Sequence, residues 1–124
     1  MKLQPDSFDV QSIRAHGPGW VTIEGDTLHA SVVISAAGER FEWNCASFDD
    51  LGPEHFAKLA ELDAEVVIFG SGKKLRFPPV AWLKPLIAKR VGLESMDTAA
   101  ACRTYNILAG EGRRVVAALL LEAG

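Results

Sequence analysis

The chain has 124 residues, a formal net charge of −3, and a hydrophobic fraction of 48%. A chain of this length buries enough surface to fold without disulfides or metals, so we expect a single domain over residues 1–124. The acidic balance argues against nucleic-acid binding, which needs a basic surface. No apolar run in the sequence reaches the length of a membrane span.

The N-terminus and the cysteines predict a cytoplasmic protein. The first residues show neither the apolar stretch of a signal peptide nor the arginine-rich character of a transit peptide. Cys45 and Cys102 are far apart and have no metal-ligand spacing, so we expect free thiols in a reducing compartment. We therefore predict no metal site at the cysteines.

Alternating apolar and polar residues predict a β-meander in the first third of the chain. Turn signals at Gly25-Asp26 and at Ala37-Gly38 separate its strands. The predicted strands cover residues 8–13, 20–24, 27–35 and 40–44.

The remainder of the chain alternates strand-like and helix-like segments. Pro53 and Pro79 suit the first turns of helices, whereas Pro85 should kink the second helix or delay its start. The predicted helices cover residues 53–62, 80–90 and 98–109, and the predicted strands cover 65–69, 93–96 and 115–121. This order predicts an α/β fold in three layers, with an N-terminal β-meander joined to a mixed, largely parallel sheet flanked by helices.

The loop that follows the strand at 65–69 is the first candidate site. Gly70 and Gly72 let a ligand approach backbone amides, and Lys73 and Arg76 add positive charge, which suits a phosphate or carboxylate. The loop matches neither the Walker A pattern nor GxGxxG. A glycine-assisted strand exit with solvated lysines is the alternative, and the residues alone favour it.

The start of the last helix is the second candidate site. Asp97 or Thr98 can cap this helix. Arg103 can hold a carboxylate with two hydrogen bonds, and Asn106 offers both a donor and an acceptor. A structural salt bridge from Arg103 to Asp97 or Glu94 is an equally open interpretation.

Cys102 lies on the same helix and is a candidate nucleophile only if its pKa is lowered and a base lies nearby. The histidines all lie in the N-terminal half, and none has a motif around it. The sequence therefore favours a buried structural thiol. We identify no complete catalytic set and assign no catalytic residue.

One geometric condition would bring the two candidate sites together. If the strands at 66–69 and 93–96 are parallel neighbours, the segments that follow them leave the same edge of the sheet, where α/β proteins bind ligands. The predicted ligand-binding or partner-binding set at this edge is Gly70, Gly72, Lys73, Arg76, Asp97, Thr98, Cys102, Arg103 and Asn106.

The motifs in combination resemble a known family. They are Gly70-Ser71-Gly72-Lys73-Lys74-Leu75-Arg76-Phe77-Pro78, Met96-Asp97-Thr98 and Ala101-Cys102-Arg103-Thr104-Tyr105-Asn106-Ile107-Leu108. Over nearly the whole chain, the sequence is similar to a small family of domains of unknown function. Its mitochondrial members are respiratory complex I assembly factors of the NADH dehydrogenase assembly factor three type.

This resemblance implies a three-layer fold and no established activity, cofactor or metal. It also implies a non-catalytic interaction or assembly module whose protein partners take part in respiratory complex assembly. The alternative is a small-molecule-binding or anion-binding protein, or an enzyme, with a pocket between the 70–76 loop and the 97–106 helix start.

Overall fold

Two β-sheets and three α-helices form the part of the chain that the computed structural model describes, residues 10–122. The strands are β1 (Ile13–Gly17), β2 (Trp20–Ile23), β3 (Asp26–Leu28), β4 (Val32–Ser35), β5 (Arg40–Glu42), β6 (Val66–Gly70), β7 (Gly92–Met96) and β8 (Val115–Leu119). The helices are α1 (Pro53–Leu59), α2 (Lys84–Ala88) and α3 (Thr98–Gly110). Short 3-10 turns lie at Phe48–Asp50 and Val80–Leu83.

The smaller sheet is an antiparallel meander with the strand order β1-β2-β3. The predicted strand at residues 8–13 overlaps it only at Ile13, where β1 begins, and residues 8 and 9 lie outside the described part of the chain. The strand instead continues to Gly17, beyond the end of the predicted range.

The larger sheet has the strand order β5-β4-β8-β6-β7. Strands β8, β6 and β7 are parallel, whereas β4 runs antiparallel to β8 and to β5. The predicted single strand at 27–35 is wrong, because the chain leaves the meander after β3 and enters the larger sheet as β4. Apolar alternation cannot reveal this break, since both pieces have strand-like composition.

The two crossover connections place helices on opposite faces of the larger sheet. The chain moves from β6 outward to β7 through α2, and then back across β6 to β8 through α3. Right-handed crossovers in opposite directions put their helices on opposite faces. The result is a three-layer α/β arrangement, as the sequence predicted.

Alternating residues of β8 contribute to two separate cores. Val115, Ala117 and Leu119 pack with α3 and the meander, whereas Val116 and Ala118 pack with α1 and α2. The continuous apolar run that predicted this strand is therefore explained by burial on both faces.

The position of Pro85 explains where the second predicted helix begins. A 3-10 turn covers its first residues, and α2 begins at Lys84 with Pro85 in its first turn, where a missing N–H breaks no helical hydrogen bond. The delayed start is confirmed. The helix ends at Ala88, two residues before the end of the predicted range, and Gly92 opens β7.

Phe69 of β6 should be a major contributor to stability. It is fully buried, and its ring centroid lies 5.5 Å from that of Phe56 and 5.8 Å from that of Trp43. We expect Phe69→Ala to lower the free energy of unfolding by about 3–5 kcal/mol, measured by urea denaturation. Phe77, which is 69% exposed, gives the matched control, because Phe77→Ala should cost less than about 0.5 kcal/mol. Equal losses from the two variants would contradict this assignment.

Candidate functional site

Three parallel strands end at the same level of the larger sheet. Gly70 at the end of β6 is in register with Met96 of β7 and with Leu119 of β8. The predicted parallel pairing of the two strands is confirmed, and the loop after β6 and the start of α3 leave the same edge. This is the edge at which open α/β sheets bind ligands.

Thr98 links the three strand exits. Its hydroxyl accepts a hydrogen bond from the Gly72 amide at 2.9 Å and donates to the Leu120 carbonyl at 2.9 Å. Its own amide donates to the Gly72 carbonyl at 2.9 Å. The Gly72 amide, a predicted donor to a bound anion, is therefore already bonded to Thr98.

Ser71, which the sequence analysis did not select, organises the loop from within. Its buried hydroxyl donates to the Lys74 carbonyl at 2.7 Å and accepts from the Arg76 amide at 2.9 Å. Its amide donates to the Met96 carbonyl at 2.8 Å. The loop is thus held by its own hydrogen bonds and by the neighbouring strand.

Close packing explains both glycines of the predicted set. A Cβ atom on Gly70 would lie 3.1 Å from the Cα atom of Thr98 and from the Cβ atom of Ala101. Gly72 has a φ of +99°, and a Cβ atom there would collide with the carboxylate of Glu122. Gly70 therefore allows the close approach of α3, and Gly72 provides a positive φ that other residues rarely adopt.

Arg76 forms an ion pair within the protein. Its Nη2 atom lies 2.9 Å from Oε2 of Glu122 and donates to the Ser71 carbonyl at 3.3 Å. Burial alone would raise the pKa of Glu122, but hydrogen bonds from the Lys73 amide and from Arg76 hold that pKa below its ordinary value. The ion pair thus holds the segment that follows β8 against the loop.

Two polar side chains of α3 serve the packing of the fold. Asp97 caps the helix, as predicted, by accepting from the Ala100 amide at 2.8 Å. The side-chain amide of Asn106 accepts from the Ile13 amide and donates to the Ile13 carbonyl, both at 2.8 Å. Asn106 therefore joins α3 to β1 and does not face the sheet edge.

The remaining candidates on α3 also lie away from the edge. Cys102 is fully buried, and burial raises the pKa of its thiol to about 12. Arg103 is exposed and forms no ion pair with any residue of the described part of the chain. The suggested salt bridge from Arg103 to Asp97 or Glu94 is therefore absent there.

A cavity of about 430 Å³ opens beside the three strand ends. Of the predicted set, Gly72, Lys73, Asp97 and Thr98 line it, whereas the other five members do not. Sequence reasoning missed its second wall, formed by the turn between β1 and β2 and by the residues after β8. The wall residues absent from the predicted set are His16, Gly17, Pro18, Gly19, Ala99, Leu120, Leu121 and Glu122.

Residues 10–122 contain neither a cluster of metal-binding side chains nor a membrane-spanning helix. These residues contain no group of three or more His, Cys, Asp or Glu side chains placed to hold a metal ion. Among the same residues, no helix has the length and apolar character needed to cross a membrane.

The strand order, the meander and the single helix between the two sheets define a small α/β domain of the Mth938-like type. A solved Bordetella pertussis protein described as a Mth938-like domain has a TM-score of 0.80 and 30% identity, covering 99% of this chain and 94% of that one. The chain belongs to the DUF498/DUF598 family of proteins of unknown function, whose sequence profile matches residues 13–120. The predicted fold class and family resemblance are confirmed.

Two further relatives extend this comparison. An uncharacterised Rhodobacter capsulatus protein is 37% identical over 123 residues, which cover 98% of this chain and 93% of that protein. The Xenopus tropicalis NADH dehydrogenase [ubiquinone] 1 alpha subcomplex assembly factor 3 is 29% identical over 122 residues. That match covers 97% of this chain and 66% of the assembly factor.

The hydroxyl of Thr98 should stabilise the strand exits. We expect Thr98→Val to lower the free energy of unfolding by about 1–2 kcal/mol, because it leaves the Gly72 amide and the Leu120 carbonyl without their partner. Thr104→Val on the same helix is the matched control, since no hydrogen bond from its hydroxyl holds the edge together. A loss no larger than that of the control, in chemical denaturation, would contradict this assignment.

Cys102 should be inert in the folded protein. In a Cys45→Ser background, thiol-reactive reagents at neutral pH should modify Cys102 only as fast as the protein unfolds, because the thiol is buried and its pKa is about 12. Modification at the rate of an exposed cysteine would contradict this.

The raised pKa of Cys102 also predicts a pH dependence. Its contribution to stability is fully present below the ordinary thiol pKa of 9.0 and is lost as the pH rises toward about 12. The loss arises because the unfolded chain releases the thiol proton first. Buried Tyr105, whose pKa is also raised, loses its own contribution above its ordinary pKa of 10.0 in any variant. Denaturation of the Cys45→Ser protein and of a Cys45→Ser, Cys102→Ala variant across this range should therefore show a larger loss when Cys102 is present.

Proposed function

We propose that the protein is a non-catalytic interaction module that takes part in the assembly of a respiratory complex. The observation that carries this proposal is the 29% identity to a protein named as a complex I assembly factor, over 97% of this chain. The match covers 66% of that assembly factor, so the proposal concerns the domain that the two proteins share.

The arrangement of the sheet edge supports an interaction module more than an enzyme. The hydroxyl of Thr98, the hydroxyl of Ser71 and the Arg76–Glu122 ion pair all bond to other groups of the protein. Catalytic groups need a perturbed pKa and an open path to a substrate. Cys102, the candidate nucleophile of the sequence, is buried with a pKa of about 12.

We propose a cytoplasmic location on the basis of the two cysteines. Both are free thiols, and Cys102 is buried while Cys45 is partly buried. Free thiols persist in reducing compartments. In this location the proposed partners are subunits or assembly intermediates of a respiratory complex.

A small-molecule-binding protein is the second candidate function, and the cavity at the sheet edge is the observation that favours it. Its volume of about 430 Å³ lies within the range of ligand pockets. Lys73 and Thr98 on its wall suit a small anion. A panel of phosphates and carboxylates in a thermal-shift assay tests this candidate, since a bound anion raises the melting temperature.

Deletion of the gene in its native host tests the proposed assembly function. We expect the amount of assembled complex I on native gels to fall several-fold, because assembly intermediates that lack this protein do not proceed to the complete complex. Rotenone-sensitive NADH oxidation by membranes should fall with it. The wild-type gene should restore both, and an unrelated respiratory enzyme in the same membranes serves as the control. Normal levels of assembled complex I in the deletion strain would reject the proposal.

A further inference from the structure

The segment from residue 73 to residue 90, between β6 and β7, has an unusual charge composition. It contains six of the thirteen Lys and Arg residues of the chain and none of the sixteen Asp and Glu residues. The rest of the chain is therefore strongly acidic, and the net charge of −3 conceals a basic segment between β6 and β7. Such asymmetry favours a partner with negative charge.

The same segment carries most of the exposed apolar surface. Five large apolar side chains of the described residues are more than half exposed, and four of them lie in this segment. The fifth, Ile107, lies on α3. The four in the segment are Leu75 (51%), Phe77 (69%), Val80 (73%) and Ile87 (59%). Together with Lys74 and Lys84, these four residues are called the 74–87 surface below.

The local conformation explains why these side chains point outward. Leu75 and Phe77 alternate with Arg76 and Pro78, which face the protein, as residues of an extended segment do. The 3-10 turn and α2 that follow form consecutive right-handed turns, in which helical spacing places Val80 and Ile87 on the same side. Exposure of the four apolar residues is thus a property of the whole segment.

The two lysines of the 74–87 surface are available to a partner. Lys74 and Lys84 are exposed, and neither forms an ion pair within the described part of the chain. Arg76, in contrast, is paired with Glu122, and the ammonium group of Lys89 donates to a backbone carbonyl at 2.6 Å. Within the 74–87 surface, the positive charges that form no ion pair are therefore those of Lys74 and Lys84, which lie among the exposed apolar side chains.

We propose that the 74–87 surface docks the protein on an anionic lipid bilayer. Its apolar side chains enter the headgroup region, while the ammonium groups of Lys74 and Lys84 lie at the level of the lipid phosphates. An acidic protein surface has a similar charge, but lysine is depleted in protein–protein interfaces. The lysines among the apolar residues therefore favour a bilayer, and this proposal is independent of the assembly function.

Sedimentation with lipid vesicles tests the proposal with the full chain. We expect binding to phosphatidylcholine vesicles that contain about one-third phosphatidylglycerol, and at least roughly tenfold weaker binding to pure phosphatidylcholine. Binding should weaken as salt is added, because the lysine–phosphate attraction is screened.

Variants at exposed positions locate the docking surface. The double variant Lys74→Glu, Lys84→Glu should bind anionic vesicles at least roughly tenfold more weakly, and Phe77→Ser should also weaken binding severalfold. Arg103→Glu and Ile107→Ser are the controls, since they reverse one positive charge and remove one large apolar side chain at exposed positions of α3 and should leave binding unchanged. Thermal melts establish that each variant is folded.

Three outcomes would overturn the proposal. The first is an absence of binding to anionic vesicles, and the second is equal binding to neutral ones. The third is an equal loss of binding in the α3 controls. Retention of an acidic protein by the 74–87 surface without vesicle binding would also reject the lipid proposal, and would assign the surface to a protein partner. None of these results bears on the gene-deletion test of complex I assembly.

Discussion

The burial of β8 on both faces is the constraint on which the rest of the structure depends. This strand pairs with β4 on one side and β6 on the other, and it joins the antiparallel half of the larger sheet to the parallel half. Its small residues, Ala117 and Ala118, leave room for a helical layer on each face. Because β8 comes last among the strands and fills the centre, the larger sheet is incomplete until distant parts of the chain have met, which is typical of slow-folding topologies.

The same strand determines the character of the sheet edge. In many α/β folds the carboxyl ends of parallel strands leave backbone amides open to a ligand. Here the residues after β8 return across the edge, so that Thr98 can bond to the Leu120 carbonyl and Glu122 can pair with Arg76. The edge is thereby closed by the protein itself, and the cavity lies beside it, against the turn between β1 and β2.

Local sequence patterns predicted those features that depend on nearby residues. The helix cap at Asp97 and the delayed start at Pro85 both follow from residue type and spacing. Asn106 was misassigned because its partner, Ile13, lies 93 residues away. The break between β3 and β4 was missed for a similar reason, since the choice of sheet is made by pairing with distant strands.

The glycine-rich loop illustrates the same limit at the candidate site. From the sequence, Gly72 and Arg76 resemble parts of an anion cradle. In the structure Gly72 provides the positive φ of the loop, and Arg76 pairs with Glu122, which lies 46 residues beyond it and carries the negative charge. A pattern of glycines and cations identifies a position where close approach and charge matter, but it does not show whether the anion comes from a ligand or from the protein.

The meander is attached to α3 by neighbouring side chains, Tyr105 bonding to the Gln11 carbonyl and Asn106 to Ile13. The turn between β1 and β2, which walls the cavity, belongs to this attached unit and to no strand of the larger sheet. Insertions or substitutions in the turn can therefore reshape the cavity while the central sheet stays unchanged. Evolution can vary the shape and chemistry of that wall without altering the part of the fold that keeps the domain stable.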